Sequence, residues 1–182
     1  MPLEITGQVL SIIGMVLTVL SFQMKTKKQI LTAQTLGSLF FLISFFFLGS
    51  FAAVYLNIVF LDRNTVFYFA GDKKWAKHPL WLPVLIVAVT VAGALGFQSA
   101  WDLLPIIGSI FGTFAAYVKN ENMLRLIKLG DSPCWLVYNA SVPSVGGVVC
   151  EVFNMVSIIV GILRYRKSGI LADGREGERS SD

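Results

Sequence analysis

From Val145 to Leu163 the chain reads VGGVVCEVFNMVSIIVGIL, nineteen residues with one ionisable group, Glu151, and one amide, Asn154. A helix of about 20 mostly apolar residues crosses a bilayer core about 30 Å thick, because it satisfies every backbone N–H and C=O within its own segment. This run is long enough to cross. Glu151 and Asn154 are three apart and share a helix face. A carboxylate placed in hydrocarbon turns toward the bundle interior, a partner or a wet cavity, which marks either a functional site or a polar contact that holds the helix to its neighbours. At this point both readings stand.

Other apolar runs repeat the pattern. The 182-residue chain is 55% hydrophobic and 14% charged and carries 14 Phe, more apolar content than the core of a soluble domain this size requires. It reads as an all-α protein that crosses the membrane several times. Most of its 15 Lys and Arg cluster between apolar runs or after the last one, so the net charge of +4 reports topology and implies no nucleic-acid partner. The first run has no basic residue before it and no small-residue cleavage site after it, and is expected to be a retained span. Cys134 and Cys150 lack metal-ligand spacing and are expected to be free thiols. With no nucleophile–base set, no phosphate loop and one histidine, His78, beside Pro79 in the hydrophilic connection 71–79, no enzyme, metal or cofactor is expected.

In chain order the expected spans are 5–24, 30–48, 52–69, 80–97, 103–118, 124–140 and 145–163. Residues 49–51 allow only a tight turn. In the third span Asp62 and Arg63 arrive near mid-bilayer, and the expectation is that the helix continues to Phe69 with Arg63 snorkelling toward the cytoplasmic headgroups. The sixth span holds Lys128, Asp131, Pro133 and Asn139, and hydropathy alone would not choose it. Topology does. With seven spans every basic cluster lies on one side, while the loops 49–51, 98–102 and 140–144 contain no Lys or Arg; without the sixth, the cluster Arg164, Arg166 and Lys167 changes sides against the positive-inside rule. The N-terminus is then outside, the C-terminus cytoplasmic, and the polar tail 168–182 disordered.

A weak internal repeat organises these spans. A shift of 94 positions carries Ile12-Ile13-Gly14 onto Ile106-Ile107-Gly108 and Lys25 onto Lys119, and after a three-residue insertion Asn57 falls on Asn154. The expected architecture is two parallel three-helix units, residues 5–70 and 103–166, joined by a linker helix over 80–97. Asn154 lies about nine residues and Asn57 about seven residues below the outer surface, ~13 and ~10 Å deep. Two amides at matching depth suit a polar uncharged solute, since each offers donors and acceptors; alternatively each stitches its own unit together. Lys128, Asp131 and Trp135 share one face of the sixth span, with Tyr138 continuing it. Trp135 is a candidate stacking wall and Glu151 a candidate proton-linked group, while Asp62, Arg63, Lys128 and Asp131 form a candidate charged pathway.

The 3+1+3 order, the basic turn after Ser21-Phe22-Gln23-Met24-Lys25-Thr26-Lys27, the Phe-rich second span and Asn57 resemble the SWEET, SemiSWEET and PQ-loop superfamily. The run from Ser21 to Phe69, with Trp135, Tyr138, Glu151 and Arg164-Tyr165-Arg166, is more closely similar to the YgjV family of bacterial inner-membrane proteins. The first resemblance implies a sugar-contacting asparagine in the third helix of each unit, which maps onto Asn57 and Asn154. The second implies an inner-membrane location. The superfamily's hinge Pro-Gln pair is replaced by Phe22-Gln23 and Ala116-Tyr117.

Two functions fit. One is a transporter of a small sugar- or nucleoside-like solute working by alternating access, with Asn57, Asn154, Trp135 and Glu151 at the site and the lipid bilayer as surroundings. The other is a non-transporting receptor or scaffold on the same fold; a homo-oligomer is compatible with either.

Overall fold

The computed structural model describes residues 2–21, 27–70, 72–118, 121–160 and 163. The basic turn around Lys25, the Phe22-Gln23 pair, Lys119, the Arg164–Lys167 cluster and the tail 168–182 lie outside the described residues.

Seven α-helices and two short 3₁₀ turns make up the described structure, with no strand among the described residues. The helices are α1 (Pro2–Ser21), α2 (Lys27–Phe47), α3 (Phe51–Phe69), α4 (Trp81–Leu95), α5 (Leu103–Tyr117), α6 (Glu121–Ser141) and α7 (Val145–Val160). Leu3–Ser21 and Ala100–Tyr117 are long and apolar enough to cross a membrane, and Leu31–Phe47, Trp81–Leu95 and Val145–Val160 are shorter apolar helices.

Each junction has a local cause. After α2 the Ser50 N–H donates to the Phe45 carbonyl (2.9 Å) and the Gly49 N–H to the Phe46 carbonyl (3.2 Å), the Schellman closure, with Gly49 at φ 74° in the left-handed region that glycine enters without a Cβ clash. The expected turn 49–51 is therefore residues 48–50, and Phe51 already belongs to α3. Helix α4 is shorter than the expected span 80–97, because Gly96 caps it and leaves Phe97 outside. The expected loop 98–102 contains a 3₁₀ turn, where the Asp102 carboxylate accepts from the Gln98 and Ser99 backbone N–H groups (2.8 and 2.7 Å). Helix α3 runs unbroken through Asp62 and Arg63, and α6 runs unbroken through Pro133.

Successive helices pack in sequence, α1 on α2 through to α5 on α6, with α3 also touching α5. Where α1 crosses α2, a Cβ on Gly14 would lie 3.0 Å from the Gly37 carbonyl oxygen, so the backbones meet directly. The ring closes between α1 and α7: the Gln8 amide donates to the Pro143 carbonyl, its oxygen accepts from the Val145 N–H (3.0 Å), and the Ser11 hydroxyl accepts from the Gly146 N–H (3.1 Å). These contacts gather the start of α1 with the α6–α7 turn. Gly96 against Ala52 brings the α2–α3 and α4–α5 junctions to the same end, the turn end.

Polarity is inverted relative to a water-soluble bundle. Ser11, Ser21, Ser44, Ser109, Thr113, Ser132 and Ser144 are buried, while Ile5, Val9, Ile12, Val16 and Leu20 form an exposed stripe along α1, and Val84, Val87, Val91 and Leu95 another along α4. Apolar surface on this scale is unstable in water, whereas small polar residues between close-packed helices suit an apolar solvent. Five of these hydroxyls bond their own helix, as Thr113 does to Ser109 O (2.8 Å), or the next one, as Ser44 does to Gly7 O (2.7 Å), while Ser132 and Ser144 Oγ are buried without a partner. At the centre Phe45, Leu56, Val59, Leu85, Val89, Trp135 and Tyr138 form the one large apolar cluster described.

Candidate functional site

The chain folds around a cavity of about 570 Å³. Its walls come from helical faces that repeat at three- and four-residue intervals: Gln34, Ser38, Phe41 and Phe45 on α2; Asn57, Phe60, Asn64 and Phe67 on α3; Asp131, Trp135 and Asn139 on α6; Gly147, Cys150, Asn154 and Ser157 on α7. Thr18 of α1 and Gly112 of α5 complete the wall, and no described α4 residue lines it. From Leu31 to Phe45 it follows α2 for ~21 Å. A second cavity, about 600 Å³, lies at the turn end against Gln8, Ser50, Ser99, Asp102 and Tyr138. Between the two stand Phe45 and Tyr138, ring centroids 6.5 Å apart, with Trp135 at 6.0 Å from Tyr138 and 6.3 Å from Phe45.

Asn57, Asn154, Trp135, Glu151, Arg63, Lys128 and Asp131 all line the main cavity. Asp62 does not; it is exposed on the opposite side of α3 and leaves the charged group. The amide pair is not a free matched pair. Asn57 Nδ2 donates to the Ala53 carbonyl of its own helix (2.8 Å), and Asn154 Nδ2 donates to Glu151 Oε2 (3.3 Å), leaving Asn154 Oδ1 buried without a partner. Asn139 repeats the Asn57 arrangement on α6, donating to Trp135 O (2.8 Å) with its Oδ1 unpartnered.

Arg63 corrects the snorkelling expectation. Its guanidinium carbon sits 4.4 Å from the centre of the Phe60 ring, and its Nε is buried without a hydrogen-bond partner. The stack is local to α3, since Phe60 precedes Arg63 by one helical turn, and it holds the side chain against the cavity wall instead of letting it extend along the helix. Lys128 and Asp131, which share one face of α6 at i and i+3, form an ion pair through Oδ2, and Asp131 Oδ1 is left unpartnered. Gly112 makes room for that carboxylate: a Cβ there would stand 2.9 Å from Asp131 Oδ2.

Trp135 is 6% exposed and packs against Phe60 (5.7 Å between centroids), so it is a floor of the cavity held by other rings. Sequence reasoning passed over Asn64, Gln34, Ser38, Asn139 and Ser157, although the face containing Asn57, Phe60, Asn64 and Phe67 was legible in their spacing. Cys134 and Cys150 are free thiols. His78 is exposed and accepts from the Leu80 N–H (3.3 Å). Among the described residues no three His, Cys, Asp or Glu side chains gather as metal ligands.

An all-helical bundle with apolar outer faces, small polar contacts between helices and a central cavity holding a few inward polar groups is a membrane protein by class. The chain belongs to the YgjV family: the family model described as bacterial inner membrane protein matches residues 5–169. It is similar to inner membrane protein YgjV of Escherichia coli (strain K12), with 25% identity over 134 residues, 70% of this chain and 68% of that protein. No solved structure matches the chain. The protein is accordingly a bacterial inner-membrane protein.

Proposed function

We propose that the protein transports a small polar solute across the inner membrane by alternating access. The supporting observation is the cavity of about 570 Å³ shared by helices from both ends of the chain, whose lining includes the polar residues Asn57, Arg63, Asp131, Asn139, Glu151 and Asn154. Its volume falls in the range of small-molecule sites, about 300–1,000 Å³. On this reading residues 5–70 and 103–166 are two three-helix units in a SWEET-like arrangement and α4 is the linker, in keeping with its absence from the cavity wall. All seven helices span the bilayer, with the turn end outside and the basic end cytoplasmic. Asn57, Asn154, Trp135 and Glu151 contact the solute, and Glu151 is the proton-linked group.

Uptake of radiolabelled solutes into proteoliposomes tests this. Transport lost in Asn57→Ala/Asn154→Ala, at unchanged protein content, supports the site. Saturable binding without accumulation under any gradient would favour a receptor instead. A phosphatase fused at the C-terminus should be inactive in cells and a fluorescent protein there bright; the reverse pattern overturns the orientation.

A further inference from the structure

Resting on the reading that the main cavity receives a solute, we propose that this solute is a small organic carboxylate anchored by Arg63. Among the described residues four charged side chains line the cavity: Arg63, Lys128, Asp131 and Glu151. Lys128 is engaged by Asp131, and Glu151 accepts from Asn154. Arg63 makes no ion pair among the described residues, and its one ring contact leaves its Nε–H unpartnered. The contact with Phe60 restrains the guanidinium at the cavity wall, and its planar fork carries paired N–H donors that bind a carboxylate bidentately, which lysine cannot do.

Charge decides the class. Outside the Lys128–Asp131 ion pair stand Arg63 and Glu151; with Glu151, the proton-linked group, carrying its proton, the cavity wall holds one uncompensated positive charge, and a neutral sugar would leave it so. A phosphate dianion would bring two charges toward one guanidinium beside the Asp131 carboxylate, which repels it across a cavity of low polarity. A monocarboxylate brings the set to neutrality. The rest of the solute lies against Phe60 and Trp135, which line the same cavity.

The melting temperature of the purified full chain, recorded with millimolar matched probes, tests the assignment: nicotinate against nicotinamide, orotate against uracil, lactate against lactamide, with inorganic phosphate as a further anion. A ligand that binds only the folded form raises the melting temperature. At least one acid should raise it while its neutral partner does not. The apparent affinity should fall about tenfold in Arg63→Lys, which keeps the charge and loses the fork, and the shift should vanish in Arg63→Gln. Acids and neutral partners acting alike, phosphate acting where carboxylates do not, a panel in which no acid acts, or an acid shift that survives in both variants each overturns it. The acid-to-neutral contrast in the wild-type chain and the Arg63→Lys result decide even where Arg63→Gln does not fold. Neutral solutes binding through Asn57 and Asn154 but not Arg63 would leave the solute cavity standing and remove the carboxylate. An acid bound through Arg63 with no uptake into proteoliposomes would leave the carboxylate site standing and remove transport.

Discussion

Asp131 is buried beneath α5, with one oxygen on Lys128 and the other unpartnered. Removing one member of a fully buried pair costs about 3–5 kcal/mol, but the Lys128 side chain keeps 37% exposure and water screens the interaction. A double-mutant cycle of Lys128→Ala and Asp131→Ala should therefore give a coupling of about 1 kcal/mol in thermal unfolding; additive single effects would show that the pair contributes nothing. At the α2–α3 turn, a Cβ placed on Gly49 would meet no atom within 4 Å, so the cost of Gly49→Ala comes from its positive φ alone. That substitution should lower stability by about 1 kcal/mol, measured as loss of folded protein on heating. The Lys128–Asp131 pair was legible from its i, i+3 spacing. The inward turn of Arg63 was not, because an arginine long enough to reach the headgroups satisfies the same sequence either way.

For whole helices the deciding feature is where small residues lie. On α1, Gly7, Ser11, Gly14, Thr18 and Ser21 follow one face at helical spacing, and Ile5, Val9, Ile12, Val16 and Leu20 follow the other. Gly37 sits where a Cβ would come 2.6 Å from Thr18 Oγ1. Gly37→Leu should push α1 off α2 at a cost of about 1–3 kcal/mol, while Ile13→Leu, on the outward side, should change stability by less than about 0.5 kcal/mol. Equal effects in a thermal aggregation assay would mean that the close crossing is not what holds these helices. Helix α6 shows why hydropathy alone undervalues such an element. Lys128, Asp131, Trp135 and Asn139 all face the cavity or the neighbouring helices, so the polar groups that lower its mean hydropathy are not offered to the surroundings.

Across the whole molecule, the α1–α7 contact joins residues more than a hundred positions apart and closes the bundle at the turn end. On the transport reading this seam has to part. With Cys134→Ser and Cys150→Ala in the background, a reducible thiol bridge between Gln8→Cys and Val145→Cys should abolish uptake, and reductant should restore it. Uptake undiminished by complete bridging would exclude opening at that seam.

The sequence by itself determined which segments are helical, where they end and which face of each carries polar groups. These are local matters: side-chain periodicity, a glycine that alone enters the left-handed region, and an Asp102 that caps the turn before α5. Tertiary structure decided which polar faces meet. Several helices offer one, and close approach at Gly14, Gly37, Gly112 and Gly146 selects the neighbours. That selection left α4 outside the cavity and brought Arg63 of α3, Asp131 of α6 and Glu151 of α7 to one cavity wall, whereas the amide bonds and the Arg63–Phe60 contact are local to their helices. The physical reason is range: helical periodicity acts over a few residues, whereas the cavity exists only once faces more than a hundred residues apart have packed.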